Sequence, residues 1–206
     1  FNSLHRTNLI DSVDNIHSHN YGKSGRTDKG VSAAGNVFCI DLKVSDKEIP
    51  FLTKRINSAL PDDIIVLGHC QIHDKFNVRY DCKSREYHYY FFSEDLDLGL
   101  MQEGAKYLVG NNEFRNLCKM KPEYEKSGTV REVFQCEIVK IQSTNKKEQA
   151  LEMACLKIKA SGFLYHMVRC IMAVLKGVGR QEILPTDIKE ILTLNPTSKI
   201  LYTKET

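Results

Sequence analysis

Between Met153 and Ala160 the chain alternates strictly, with Ala154, Leu156 and Ile158 on one side and Cys155, Lys157 and Lys159 on the other. A period of two is the signature of a half-buried strand. Ser161-Gly162 then opens a stretch, Phe163 to Lys176, carrying Phe163, Leu164, Met167, Val168, Ile171, Met172, Val174 and Leu175. So little polar surface predicts a buried helix, stopped at Gly177.

The remaining elements follow from the same patterns. The first twenty residues allow a helix ending in the polar run His17-Ser18-His19-Asn20. Val37 to Leu42 alternates as a strand, with Phe38, Ile40 and Leu42 on one face. Pro50, with Phe51, Leu52, Ile56 and Ala59, reads as a helix with proline in its first turn, stopped by Pro61-Asp62-Asp63. Ile64–Ile72 and Lys83–Phe92 read as strands. Asp97 is placed to cap a helix from Leu100 to Val109, closed by Gly110. Strands are expected over Thr129–Ile141 and Met153–Ala160, joined by a polar loop from Ser143 to Gln149. A last helix is expected from Asp187 to Leu194, capped by Thr186 or Asp187 and ended by Pro196. Strands and helices without a regular β-α-β alternation predict an α+β fold with a mostly antiparallel sheet. A boundary near Phe76–Lys83 divides the chain into residues 1–78 and 79–206.

At 206 residues, 42% of them hydrophobic and 27% charged, the chain has the balance of a globular protein. It opens on Phe1 rather than Met, as a fragment or a processed chain does, and without a signal-peptide pattern. Phe163–Val178 is interrupted by His166, Arg169 and Lys176, and its longest clean run, Cys170–Leu175, is far short of the roughly 20 residues a membrane helix needs. No membrane association is expected. The seven cysteines are odd in number and never spaced Cys-x-x-Cys, which predicts free thiols in a reducing compartment, cytosol or nucleus. A net charge of +3 is only a weak pointer to nucleic acid, so any basic surface must come from local segregation of charge.

Three features could carry chemistry. The segment Tyr21–Gly35 holds four glycines around Arg26, Asp28 and Lys29. Glycines permit sharp bends and close approach to a ligand, although a generic loop of this kind is more often a solvated turn. Gly22-Lys23-Ser24 imitates the end of a phosphate-binding loop, but position 17 is His and no strand precedes it, so that reading fails. Arg169 stands in the apolar helix. Either its guanidinium snorkels to the surface or a carboxylate must answer it, and Asp28 is one candidate among several. Arg85 to Phe92 alternates aromatics on both faces, which serves core packing or presents a ring to a nucleobase. His69-Cys70-x-x-His73 contains metal-ligand types, but a strand would put Cys70 on the opposite face, so core and edge positions explain it better. No Gly-x-Ser-x-Gly elbow occurs.

Three stretches, in order, resemble the TruA family of tRNA pseudouridine synthases. They are Ser24-Gly25-Arg26-Thr27-Asp28-Lys29-Gly30-Val31-Ser32-Ala33; Phe76-Asn77-Val78-Arg79 with Arg85-Glu86-Tyr87-His88-Tyr89; and Gly162-Phe163-Leu164-Tyr165-His166-Met167-Val168-Arg169. Lys29–Ala33 and Phe114-Arg115-Asn116-Leu117-Cys118-Lys119-Met120 lean toward the eukaryotic branch acting on nucleotides 38 and 39. The resemblance implies an antiparallel sheet with helices on one face and two subdomains flanking a positively charged cleft. It also implies that Asp28 is the nucleophile, opposed by Arg169, and that Tyr87 lies against the flipped uracil. Arg26 would fill the space the base leaves, while Lys29, Lys23 and Arg79 would contact phosphates or support the loop. The implied substrate is the tRNA anticodon stem-loop, with no metal or cofactor, and the implied assembly is a homodimer. The sequence departs from the family in lacking a Tyr-Asp-Gly strand before the first helix, and Lys199-Ile200-Leu201-Tyr202 is a poor remnant of its last strand. A non-catalytic RNA-binding or chaperone protein, and more remotely a metal-dependent hydrolase using His69, are the alternatives.

Overall fold

The computed structural model describes residues 1–141 and 152–193, so the expected loop at 143–149, the helix end at Leu194–Pro196 and the remnant at 199–202 lie outside the described residues. The fold is α+β and its strand pairings are antiparallel. The chain divides into two compact units, Phe1–Cys82 and Lys83–Thr206.

The first unit holds helix α1 (Asn2–Arg6), strands β1 (Gly22–Lys23) and β2 (Phe38–Cys39), and helix α2 (Leu52–Asn57). Pro50 sits in a 3-10 turn, Ile49–Phe51, that leads into α2, where its fixed φ and missing N–H do no harm. Leu9, Leu52 and Ile56 form a small core, with Leu4, Leu42, Val44, Leu60 and Val66 packed against it.

The strand expected from Ile64 to Ile72 does not form, and the one expected from Val37 to Leu42 shrinks to two residues. A strand exists as half of a ladder, and the described residues place no second strand along Ile64–Ile72. The side-chain amide of Asn57 stands in for one at a single point. It donates to the Val66 carbonyl at 2.9 Å and accepts from the Val66 N–H at 2.8 Å. Val66 packs inward, whereas Ile65 and Leu67 are 70% and 81% exposed, so the apolar run is extended chain without a sheet.

The second unit opens with β3 (Arg85–Phe92) and α3 (Leu98–Lys106), followed by β4 (Gly110–Glu113) and the short helix α4 (Glu123–Ser127). The long strands β5 (Val130–Ile141) and β6 (Met153–Ala160) come next, then helices α5 (Met167–Gly179) and α6 (Asp187–Thr193). The sheet order is β3-β6-β5-β4. Tyr87 pairs with Ile158 and Tyr89 with Leu156. Ala154, Leu156 and Ile158 are fully buried, as their alternation predicted. The register of β5 against β6 slips between Val133 and Gln135, leaving Phe134 bulged and exposed. Met101, Leu156, Ile158, Ile171, Leu175 and Ile188 fill one core between sheet and helices. On the other side of β3, His88, Tyr90 and Phe92 are exposed. No helix of the described residues is long and apolar enough to cross a membrane.

Candidate active site

Strand β1 ends at Lys23 and β2 begins at Phe38, in the register Gly22 to Cys39 and Lys23 to Phe38. The glycine-rich segment is therefore the long connection of a short hairpin. Its base is tied by side chains. Ser24 Oγ donates to Asn36 Oδ1 at 2.9 Å, Asn36 Nδ2 donates to the Gly25 carbonyl at 3.3 Å, and Ser24 N–H donates to the Val37 carbonyl at 2.8 Å. Within the connection, Val31 N–H donates to the Asp28 carbonyl at 3.1 Å and Gly30 has φ of +81°. That is a type II turn over Asp28–Val31, which needs positive φ at its third residue and so needs glycine there. The turn sets Asp28 at its first corner. Arg26, Asp28 and Lys29 are all exposed.

The root of this hairpin is buttressed by the second motif. A Cβ on Gly22 would lie 2.9 Å from Val78 Cγ1 and 3.1 Å from Cys39 Sγ, so β1 and the Val78 side chain already touch. Val78 is 5% exposed and is held in a compact turn. Asn77 Oδ1 accepts from the backbone N–H groups of Arg79 and Tyr80, and Asp81 Oδ2 accepts from Asn77 N–H at 2.8 Å. Arg79 is exposed, with its guanidinium 5.9 Å from the Tyr80 ring. A cavity of about 340 Å³ beside the loop is lined by Tyr21, Lys23, Gly25, Arg26, Thr27, Asn36 and Phe38.

In the second unit, Tyr87 points to the helix side of the sheet and is half-buried. Its ring meets Phe163 edge to face at 4.9 Å and 88°, an arrangement that fixes both rings. Phe163 lies in the segment leading to α5, so the structure brings the tyrosine strand against the start of the third motif. Sequence reasoning placed Phe163 inside the helix and missed this contact. The helix instead begins at Met167, after His166 adopts a left-handed conformation with φ of +60°, and it runs past Gly177 to Gly179.

Arg169 differs from a helix apolar all round. Met167, Ile171, Met172, Val174, Leu175 and Val178 are buried on one side of α5, while Arg169 is exposed. With the first turn of the expected helix absent, the apolar residues fall on one face and the guanidinium emerges into solvent. No desolvation cost then demands a buried carboxylate.

His69 has Nδ1 2.7 Å from Thr53 Oγ1, and the described residues contain no group of three His, Cys, Asp or Glu side chains placed to hold a metal. None of the seven cysteines forms a disulfide.

A family model described as tRNA pseudouridine synthase matches residues 105–204. Along 186 residues the chain is 32% identical to the tRNA pseudouridine synthase A of Anoxybacillus flavithermus, covering 82% of this chain and 70% of that protein. The chain belongs to the TruA family of tRNA pseudouridine synthases. Two animal relatives extend the likeness. The tRNA pseudouridine(38/39) synthase of Mus musculus is 32% identical over 216 residues, which is 94% of this chain and 44% of that protein. The probable tRNA pseudouridine synthase tag-124 of Caenorhabditis elegans is 32% identical over 218 residues, 93% of this chain and 53% of that protein. This TruA-family chain therefore spans about half the length of these animal relatives.

Proposed function

We propose that the protein isomerises uridine to pseudouridine in tRNA, at nucleotides 38 and 39 of the anticodon stem-loop, with Asp28 as nucleophile. The observation that carries this reading is the display of Asp28. A glycine-dependent turn holds an exposed carboxylate between Arg26 and Lys29, in a chain of this family. The choice of nucleotides rests on the 38/39 relatives and on Phe114–Met120.

The chemistry asks little beyond these residues. The ionised Asp28 attacks the target uridine, the bond between N1 and C1′ breaks, and the base rotates. C5 then bonds to C1′ as the Asp28 carboxylate leaves that carbon, C5 loses its proton and N1 gains one, so atoms and electrons balance without a redox partner. On family likeness, Arg169 serves as the counter-charge to the Asp28 carboxylate, and Tyr87 beside the uracil assists the proton transfer. Arg26 fills the gap left by the flipped base, offsetting part of the few kcal/mol of lost stacking. Lys29, Lys23 and Arg79 contact phosphates or support the loop. A homodimer is inferred on family likeness, and a cytosolic or nuclear setting on the odd number and scattered spacing of the seven cysteines.

The test is a nucleotide-resolution map of pseudouridine in tRNA incubated with and without the protein. New pseudouridine at 38 and 39 is the expected result. Binding without product would favour a non-catalytic RNA-binding protein, and product only at other nucleotides would overturn the positional assignment.

A further inference from the structure

The second unit gathers two ammonium groups on one ring. Lys121 Nζ lies 4.4 Å and Lys119 Nζ 5.7 Å from the centroid of Tyr165. The ring is held in place. Tyr165 N–H donates to the Tyr124 hydroxyl at 2.9 Å, the Tyr165 carbonyl accepts from Lys119 N–H at 2.8 Å, and the His166 ring tilts over Tyr165 at 3.9 Å. The lysine segment is held as well, since Phe114 and Leu117 are buried and Asn116 Nδ2 donates to the Ile191 carbonyl at 2.8 Å. Two like charges are thus brought together by a rigid backbone and an aromatic face. Glu123 Oε1 stands 3.9 Å from Lys121 Nζ, too far for a hydrogen bond. Lys119 is open to solvent, and Lys121 makes a loose ion pair with Glu123, whose side chain is itself mostly exposed.

We propose that Lys119 and Lys121, gathered by Tyr165, form a clamp for the phosphate backbone of the RNA substrate, supplying affinity and position rather than chemistry. Lysine suits this role because an ammonium acts as a point charge that accepts a phosphate from several directions. The Tyr165 ring is engaged by His166 and by lysine, so it organises cations rather than a base. The clamp rests on the reading of tRNA as substrate, but not on Asp28 or the isomerisation.

The experiment measures binding of a fluorescein-labelled tRNA transcript by anisotropy across a salt series, with pseudouridine formation assayed alongside. Lys119→Gln with Lys121→Gln should weaken binding roughly tenfold and lower the slope of log affinity against log salt by about two. The loss should be equal on an unrelated RNA, because phosphates carry no sequence. Lys119→Arg with Lys121→Arg should retain most of the affinity. Unchanged affinity and slope in the glutamine variant would overturn the clamp, as would a loss confined to one RNA sequence. If the wild type binds tRNA through these lysines but makes no pseudouridine, the clamp stands and the proposed activity fails.

Discussion

Replacing Gly22 by Ala would set a methyl carbon 2.9 Å from Val78 Cγ1 and 3.1 Å from Cys39 Sγ. Real Cβ contacts do not reach 2.9 Å, so something must move. Val78 is β-branched, which restricts its χ1, and buried, and Cys39 is the cross-strand partner of Gly22. Overpacking of this kind costs about 1–3 kcal/mol. Val78→Ala alone deletes two buried methyl groups and should cost about 2 kcal/mol, counting the space left behind. Together the substitutions relieve each other, so the double variant should be more stable than the sum of the singles by about 1 kcal/mol or more. Urea unfolding of the four proteins measures this directly. Because β1 roots the Asp28 loop, Gly22→Ala should also lower kcat/KM for tRNA at least roughly tenfold, with partial recovery in the double variant. Additive free energies, within about 0.5 kcal/mol, would refute the contact between the two motifs and with it the buttressing of the loop.

Three further outcomes follow. Arg169→Met should leave stability within about 0.5 kcal/mol, because the side chain is exposed, while lowering the rate of pseudouridine formation about a hundredfold; a loss of several kcal/mol in urea unfolding would show a buried pair instead. Burial pushes the Cys136 thiol from 9.0 up to about 12, with Glu137 adding to the rise. The unfolded thiol releases its proton first, so this contribution to stability is intact below pH 9 and is lost as pH rises toward 12. Urea midpoints should fall over that window and fall less in Cys136→Ala; equal slopes in the two proteins would contradict it. Asp97→Ala removes the cap that accepts from Leu100 N–H at 3.0 Å and should cost about 1 kcal/mol in the same assay.

What the sequence disclosed depended on whether a residue's environment was local. The alternation of Ala154, Leu156 and Ile158 defined β6 because a strand between two others needs only its own pattern to declare its faces. Asp97 and the residues of α3 were legible for the same reason, through a cap and its helix. Ile64–Ile72 was not, since its apolar residues resemble a strand but a ladder depends on a neighbour that the segment itself cannot reveal. Strand β4, Gly110-Asn111-Asn112-Glu113, was missed because its residues have poor strand propensity and pairing with Val130–Val133 overrides it. At the site, the glycine spacing around Asp28 foretold a special backbone, and Gly30 carries it. The late start of α5 was hidden, because a left-handed His166 has no marker in composition. That one residue moved Phe163 out of the helix to Tyr87 and left Arg169 on an exposed face. Val78 on Gly22 joins segments far apart in sequence, which no local pattern encodes.

Everything in the proposed reaction turns on the Asp28 carboxylate. Asp28→Ala protein, incubated with tRNA in single-turnover conditions, tests this dependence together with a binding measurement on the same sample. The variant should make no pseudouridine above background while tRNA affinity stays within a few-fold of wild type, because Asp28 is exposed and its turn is made by backbone and glycine. Pseudouridine formed by Asp28→Ala at the wild-type rate would contradict it.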